Sequence, residues 1–215
     1  MTIQTKTIVF LFGLLLFPVV IKAQESLMSM YFKLSSPEKF WVIKHPFIAK
    51  KTSRITHKAL RSVETIASEF PIDNDLMGGQ ADAFKHSYWM ALLAQSISAK
   101  KARQLGEAHE KANYIQYQKG ILEDGSLPDK ASFEMDIWNN KVGIYLGKQY
   151  KQLNEEELKI KVIEYLLKGE MKIIKKDKSG NYLDCKGVVI EKELLNKWDN
   201  PKCHTWSDFR KAGGN

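Results

Sequence analysis

Gly169 divides this sequence by period: before it apolar residues recur every three or four positions, after it they alternate. A chain with that order of patterns folds as helices first and strands last. Ser36 can cap a helix, Pro37 suits its first turn, and Glu38 puts an acid at the positive end of the dipole. Pro46 should break or kink this element. A second helix is expected over about 52–70, with Ile55, Ala59, Val63 and Ile66 on one face, followed by a loop from Pro71 to Gly79. The segment 80–98 is apolar enough for a central helix, and another follows over 99–118. Residues 120–129 connect it to a helix that Ser132 could cap, on which Gly143 and Gly147, four apart, allow close contact with a neighbour. Asn154 before three glutamates starts another helix, which Gly169 stops.

Beyond Gly169, Met171 to Lys176 and Tyr182 to Ile190 flank Asp177-Lys178-Ser179-Gly180-Asn181, which reads as a β-hairpin, with a short helix over 191–198. The expected fold class is therefore mainly α, a compact multi-helix domain with a small C-terminal β-hairpin. Its segments are a leader over 1–23, the helical domain over 24–169, the hairpin and short helix over 170–203, and a loose tail over 204–215.

The leader reading rests on Lys6, the apolar run from Ile8 to Ile21, and the small residue Ala23. That run is shorter than the roughly 20 residues a spanning helix needs, so the chain reads as exported, periplasmic or secreted, without a membrane span once the leader is cleaved. Cleavage removes Lys6 and Lys22 and no acid, lowering the formal charge from +8 to +6. The lysines are scattered, so nucleic acid is not indicated. Two cysteines, Cys185 and Cys203, are expected to pair in an oxidising compartment.

Three clusters could carry chemistry. Asp82 and His86 lie four apart in Gly78-Gly79-Gln80-Ala81-Asp82-Ala83-Phe84-Lys85-His86, hence on one helical face. His109-Glu110 begins like a zinc-protease pattern, but Asn113 stands where the second imidazole is required, so that reading fails and His109 and Asn113 share a face. Asp136 and Asn140 share a face with Gly143, with Asn139 beside them. Consecutive asparagines inside a helix compete for its backbone bonds, so a site or a buried network must offset the cost.

The order Gly-Gly-x-x-Asp-Ala-Phe-Lys/Arg-His-x-x-Trp, then Ala-His-Glu, then Met-Asp-x-x-Asn-Asn-x-x-Gly resembles an uncharacterised exported bacterial domain family, frequent in Bacteroidota and related to polymorphic-toxin C-terminal domains. The resemblance implies that Asp82, His86, His109, Glu110, Asp136, Asn139 and Asn140 are the marked positions, and implies no activity. Lys85 stands where the family favours Arg, and Ala112 where it favours Gly.

Two mechanisms follow for a hydrolase acting on an envelope or target-cell polymer or lipid. In one, Asp82 orients His86 as general base, with His109 or Glu110 as partner acid and Asn140 holding substrate. In the other, a divalent metal is held by Asp82, His86, His109 and Asp136, with Glu110 as base. Ser87 lacks an elbow motif and no Gly-rich phosphate loop follows a strand, which argues against a serine nucleophile and a nucleotide cofactor. The competing class is a non-catalytic envelope protein whose polar motifs form an inter-helix network.

Overall fold

The computed structural model describes residues 27–122 and 125–208. The leader expected over 1–23 lies outside them, as do residues 209–215 of the expected tail. In order come α1 (Leu27–Lys33), α2 (Ser36–Lys44), α3 (Pro46–Glu69), α4 (Gln80–Ser96), α5 (Ala99–Gln118), α6 (Lys130–Gln149), α7 (Glu155–Leu167), β1 (Lys172–Ile174), α8 (Lys192–Leu195) and β2 (His204–Trp206). The fold is mainly α with a small antiparallel sheet, as expected.

The helix starts differ instructively from expectation. Ser35, not Ser36, caps α2: its hydroxyl accepts from Glu38 N while its own N–H donates to Glu38 Oε2 at 2.9 Å. The helix from Ser36 does break at Pro46, as expected, and Pro46 itself opens α3, because the first turn has no use for the N–H that proline lacks. Asp129 caps α6 by accepting from Ser132 N at 2.8 Å, so Ser132 is the recipient of the cap. Asn154 and Glu157 form the reciprocal cap of α7, and Gly169, at φ +76°, ends it.

Helix α4 is the axis of the molecule, packed against α3, α5, α6 and α7. Phe84, Tyr88 and Leu92 join Ile66, Leu158, Val162 and Leu166 in one core, while Met90 and Leu93 join Trp41, Ala102 and Leu105 in another. Burying each large apolar side chain contributes about 1.5–3 kcal/mol. Gly143 and Gly147 do what their spacing suggested: a Cβ on Gly143 would sit 2.1 Å from Ser87 O, and one on Gly147 2.3 Å from Ala91 O. Only glycine lets α6 lie this close to α4.

The strand pairing departs from the hairpin reading. Asp177 N donates to Asn181 O and Lys176 bridges Tyr182, so the turn forms. Residues 182–190 then fold back on themselves, and β1 pairs instead with β2, Ile173 opposite Thr205. The Cys185–Cys203 disulfide is present, and Cys203 exchanges backbone bonds with Lys175 and Leu183 on either side. That anchoring delivers 204–206 to β1. The start of the expected loose tail is thus ordered: Ser207 is buried, its hydroxyl donating to Leu166 O at 2.6 Å.

Candidate metal centre

The site begins at a turn. Gly78 adopts φ +99°, which glycine tolerates, and thereby donates its N–H to Asp82 Oδ2 at 2.9 Å while its carbonyl accepts from Ile174 N at 2.7 Å. Asp73 Oδ1 accepts from Gln80 N at 2.8 Å and Ala81 N at 3.2 Å, capping α4 from upstream. The first turn of α4 is thereby fixed before any ligand arrives.

Asp82 and His86, one turn apart on α4, face Asp136 and Asn140, one turn apart on α6. His86 Nε2 lies 3.5 Å from Asp82 Oδ1 and 3.3 Å from Asp136 Oδ1. One ligand-type atom from each of Asp82, His86 and Asp136 falls within 4.8 Å of the others, and all three residues are buried. Lys85 Nζ sits 2.8 Å from Asp82 Oδ1. Behind the imidazole, Nδ1 lies 3.8 Å from Glu110 Oε1 on α5. Glu110 is wholly buried and accepts from Asn140 Nδ2 at 2.9 Å and Asn113 Nδ2 at 3.5 Å. Gly106, one turn before Glu110, makes room: a Cβ there would stand 3.4 Å from Asn140 Nδ2.

Burial, and after it the charges of Lys85 and His109, hold His86 well below the ordinary histidine range against the opposing pull of Asn140. The ring is therefore neutral at neutral pH, the form that ligates metals. Ligand atoms about 2.1 Å from an ion and roughly 90–110° apart lie about 3.0–3.4 Å from each other, close to the two separations at Nε2. One imidazole and two carboxylates suit a hard to borderline divalent cation. Glu110 Oε1 stands on the Nδ1 side at 3.8 Å, beyond hydrogen-bond reach but where the carboxylate partner of a ligating histidine would approach.

A cleft of about 30 Å³ reaches this cluster, lined by Leu76, Met77, Asp82, Lys85, His86, Ser126, Pro128, Ser132, Asp136 and Tyr182. That volume admits about one or two waters. A larger molecule could present only one group to it.

Of the seven residues read from the sequence, Asp82, His86 and Asp136 converge, with Glu110 and Asn140 directly behind. Two do not join them. The His109 ring centroid is 6.1 Å from that of His86, and its Nδ1 faces Glu38 Oε1 at 3.0 Å, so the four-ligand set becomes three. Asn139 points the other way: its Nδ2 donates to Lys172 O at 2.9 Å and its Oδ1 accepts from Lys172 N at 3.0 Å, fastening β1 to α6. Asn113 pairs with Glu110 rather than acting beside His109. The Asp82–His86 dyad also differs from expectation, since Asp82 and Asp136 address the same nitrogen and Glu110 lies nearest the other at 3.8 Å. Glu38 and Tyr182 had no local signal, lying 71 and 96 residues from His109 and His86 respectively.

Burial alone would raise the Glu38 carboxyl, but the hydrogen bond and charge of His109, with two bonds from Ser35, outweigh it and bring it down from 4.5 to about 2.

A family described as a domain of unknown function (DUF6973) matches residues 39–171, a span that contains the whole cluster. No curated protein and no solved structure matches.

Proposed function

This chain belongs to the DUF6973 family of domains of unknown function, and we propose that it is an exported hydrolase that works through a divalent cation held by Asp82, His86 and Asp136. The convergence of those three buried groups at the foot of a solvent-reaching cleft carries the reading. A divalent cation there would supply Lewis acidity and a nearby water of lowered pKa. His86 stays neutral with its Nδ1 on the Glu110 side, and Asn140 keeps Glu110 in place by donating to Oε1. Lys85, beside Asp82 and half-buried in the cleft wall, is the cation that would meet an anionic oxygen of the substrate. The narrow cleft suits a single ester, amide or phosphoester group projecting from a larger envelope lipid or polymer. The Cys185–Cys203 bridge supports work in an oxidising compartment, and among the described residues no helix is long and apolar enough to cross a membrane.

The test is metal analysis of the purified full chain after equilibration with Zn²⁺, Mn²⁺ or Mg²⁺, beside His86→Ala and Asp136→Asn. The parent should retain one of these ions, and both variants should bind it about 100-fold more weakly while unfolding cooperatively. Hydrolysis of isolated envelope lipid or peptidoglycan should then depend on the ion. A folded parent that takes up none of the three ions sinks the proposal. Variants that fail to fold would favour the reading of an inter-helix scaffold, to which the matched bonds of Asn139 and Glu110 already lend weight.

A further inference from the structure

A second, larger cavity of about 430 Å³ opens among α1, α2 and α3, within the size range of small-molecule sites. Tyr31, Leu34, Trp41, Val42, Ala49 and Leu105 give it apolar walls. One polar group in the wall is unmatched: the Thr52 hydroxyl is buried without a hydrogen-bond partner, on a residue only 6% exposed. Thr56, by contrast, accepts from Trp89 Nε1 at 2.9 Å and donates to Thr52 O. Lys33 and Lys50, both exposed, line the cavity together with His57, and the lining acid, Glu38, is engaged with His109 and Ser35. The charge at this cavity thus favours an anion, and its walls favour a hydrocarbon.

The same helices leave large apolar side chains in solvent. Phe40 is 58% exposed, Ile43 63% and Phe47 99%, all within eight residues, with Lys44 Nζ 4.2 Å from the Phe40 ring centroid. Aromatic and aliphatic residues interleaved with lysines are what a protein presents to an anionic lipid surface.

We propose that this cavity takes the alkyl chain of a single-chain anionic amphiphile, a long-chain carboxylate, whose head group lies at Lys33, Lys50 and His57, and that Phe40, Ile43 and Phe47 touch the lipid surface it is drawn from. The inference does not rest on the metal reading, because none of these residues belongs to the Asp82–His86–Asp136 cluster.

Hexadecanoate is titrated into the full chain below its critical micelle concentration, with hexadecanol as the uncharged control. The parent binds it stoichiometrically. Ala49→Phe, which fills the cavity, weakens binding at least about tenfold. The Lys33→Glu, Lys50→Glu double variant weakens hexadecanoate by about the same factor and leaves hexadecanol unchanged. Asp136→Asn binds as the parent does, which separates this result from the fate of the metal proposal. A parent that takes up no hexadecanoate overturns the inference, as does a folded Ala49→Phe with parental affinity. If Ala49→Phe does not fold, the lysine pair decides: unchanged hexadecanoate affinity overturns it. So does association with anionic vesicles without stoichiometric uptake of the monomer.

Discussion

The two sides of α4 are built to different tolerances. Toward α6 the helices close to the limit that backbone atoms allow, with Gly143 and Gly147 as spacers and buried acids, amides and an imidazole locked between. Toward α1, α2 and α3 the packing opens into a cavity of about 430 Å³. Two positions for carboxylate oxygens around one nitrogen require the first kind of packing. An apolar chain of variable length requires the second. The contrast is testable by adding atoms to each side. Gly143→Ala adds one methyl where no space exists and should lower unfolding stability by about 3 kcal/mol or more. Ala49→Phe adds a whole ring where space does exist and should shift it by no more than about 1 kcal/mol. Urea denaturation of both variants measures this; equal costs would erase the distinction.

The next effect sits where the two regions meet, at the Glu38–His109 pair. Glu38 lines the cavity, while His109 stands beside His86 and Trp89. The folded-state pKa of Glu38 is depressed, so its contribution is fully present above the unfolded value near 4.5 and is lost as pH falls toward about 2. That shift corresponds to roughly 3 kcal/mol. Removing the imidazole in His109→Ala leaves burial to push the carboxyl up, so stability at neutral pH should drop while the loss that Glu38 causes between about pH 4.5 and about pH 2 shrinks. Urea unfolding followed by circular dichroism at steps from about pH 6 to about pH 2 reads the change in slope. A pH dependence equal to the parent's would show that the pair does not couple the cavity wall to α5.

How much of this was legible follows from the same contrast. The seam could be read because helical spacing alone places Asp82 under His86, Asp136 under Asn140, and Gly143 on the same stripe. Apolar composition marked α4 as the central helix, and two cysteines in a chain that reads as exported pointed to their bridge. What spacing cannot supply is rotation and long-range partnering. Residues 139 and 140 are equally polar on paper, yet about 100° of helical turn sends one toward Glu110 and the other toward β1. His109 looked as apt a ligand as His86 until Glu38, far upstream, claimed it. The strand pairing is similar: the hairpin turn forms beside β1, but the strand that pairs with β1 comes from about thirty residues further along, next to the disulfide. The cavity had no signal at all, since it is defined by side chains that fail to meet.

The adjacent asparagines give the smallest and most discriminating comparison. Asn139 closes a two-bond ring with the Lys172 backbone, so Asn139→Ala leaves a partly buried N–H and a carbonyl without their partners. It should cost about 1–3 kcal/mol of stability, and the cluster's ion affinity should stay at the parental level because the lost bonds lie on the β1 side of α6. Asn140→Ala removes the donor that holds Glu110 Oε1, the carboxylate behind His86 Nδ1. Its stability cost should be of the same order, but ion affinity should fall about 10–100-fold, as expected when the group orienting a ligating histidine is loosened. Melting curves alone would not separate the two variants; melting curves with ion titrations would. Equal ion affinities would mean that Glu110 and its amide serve the helix contact and nothing beyond it.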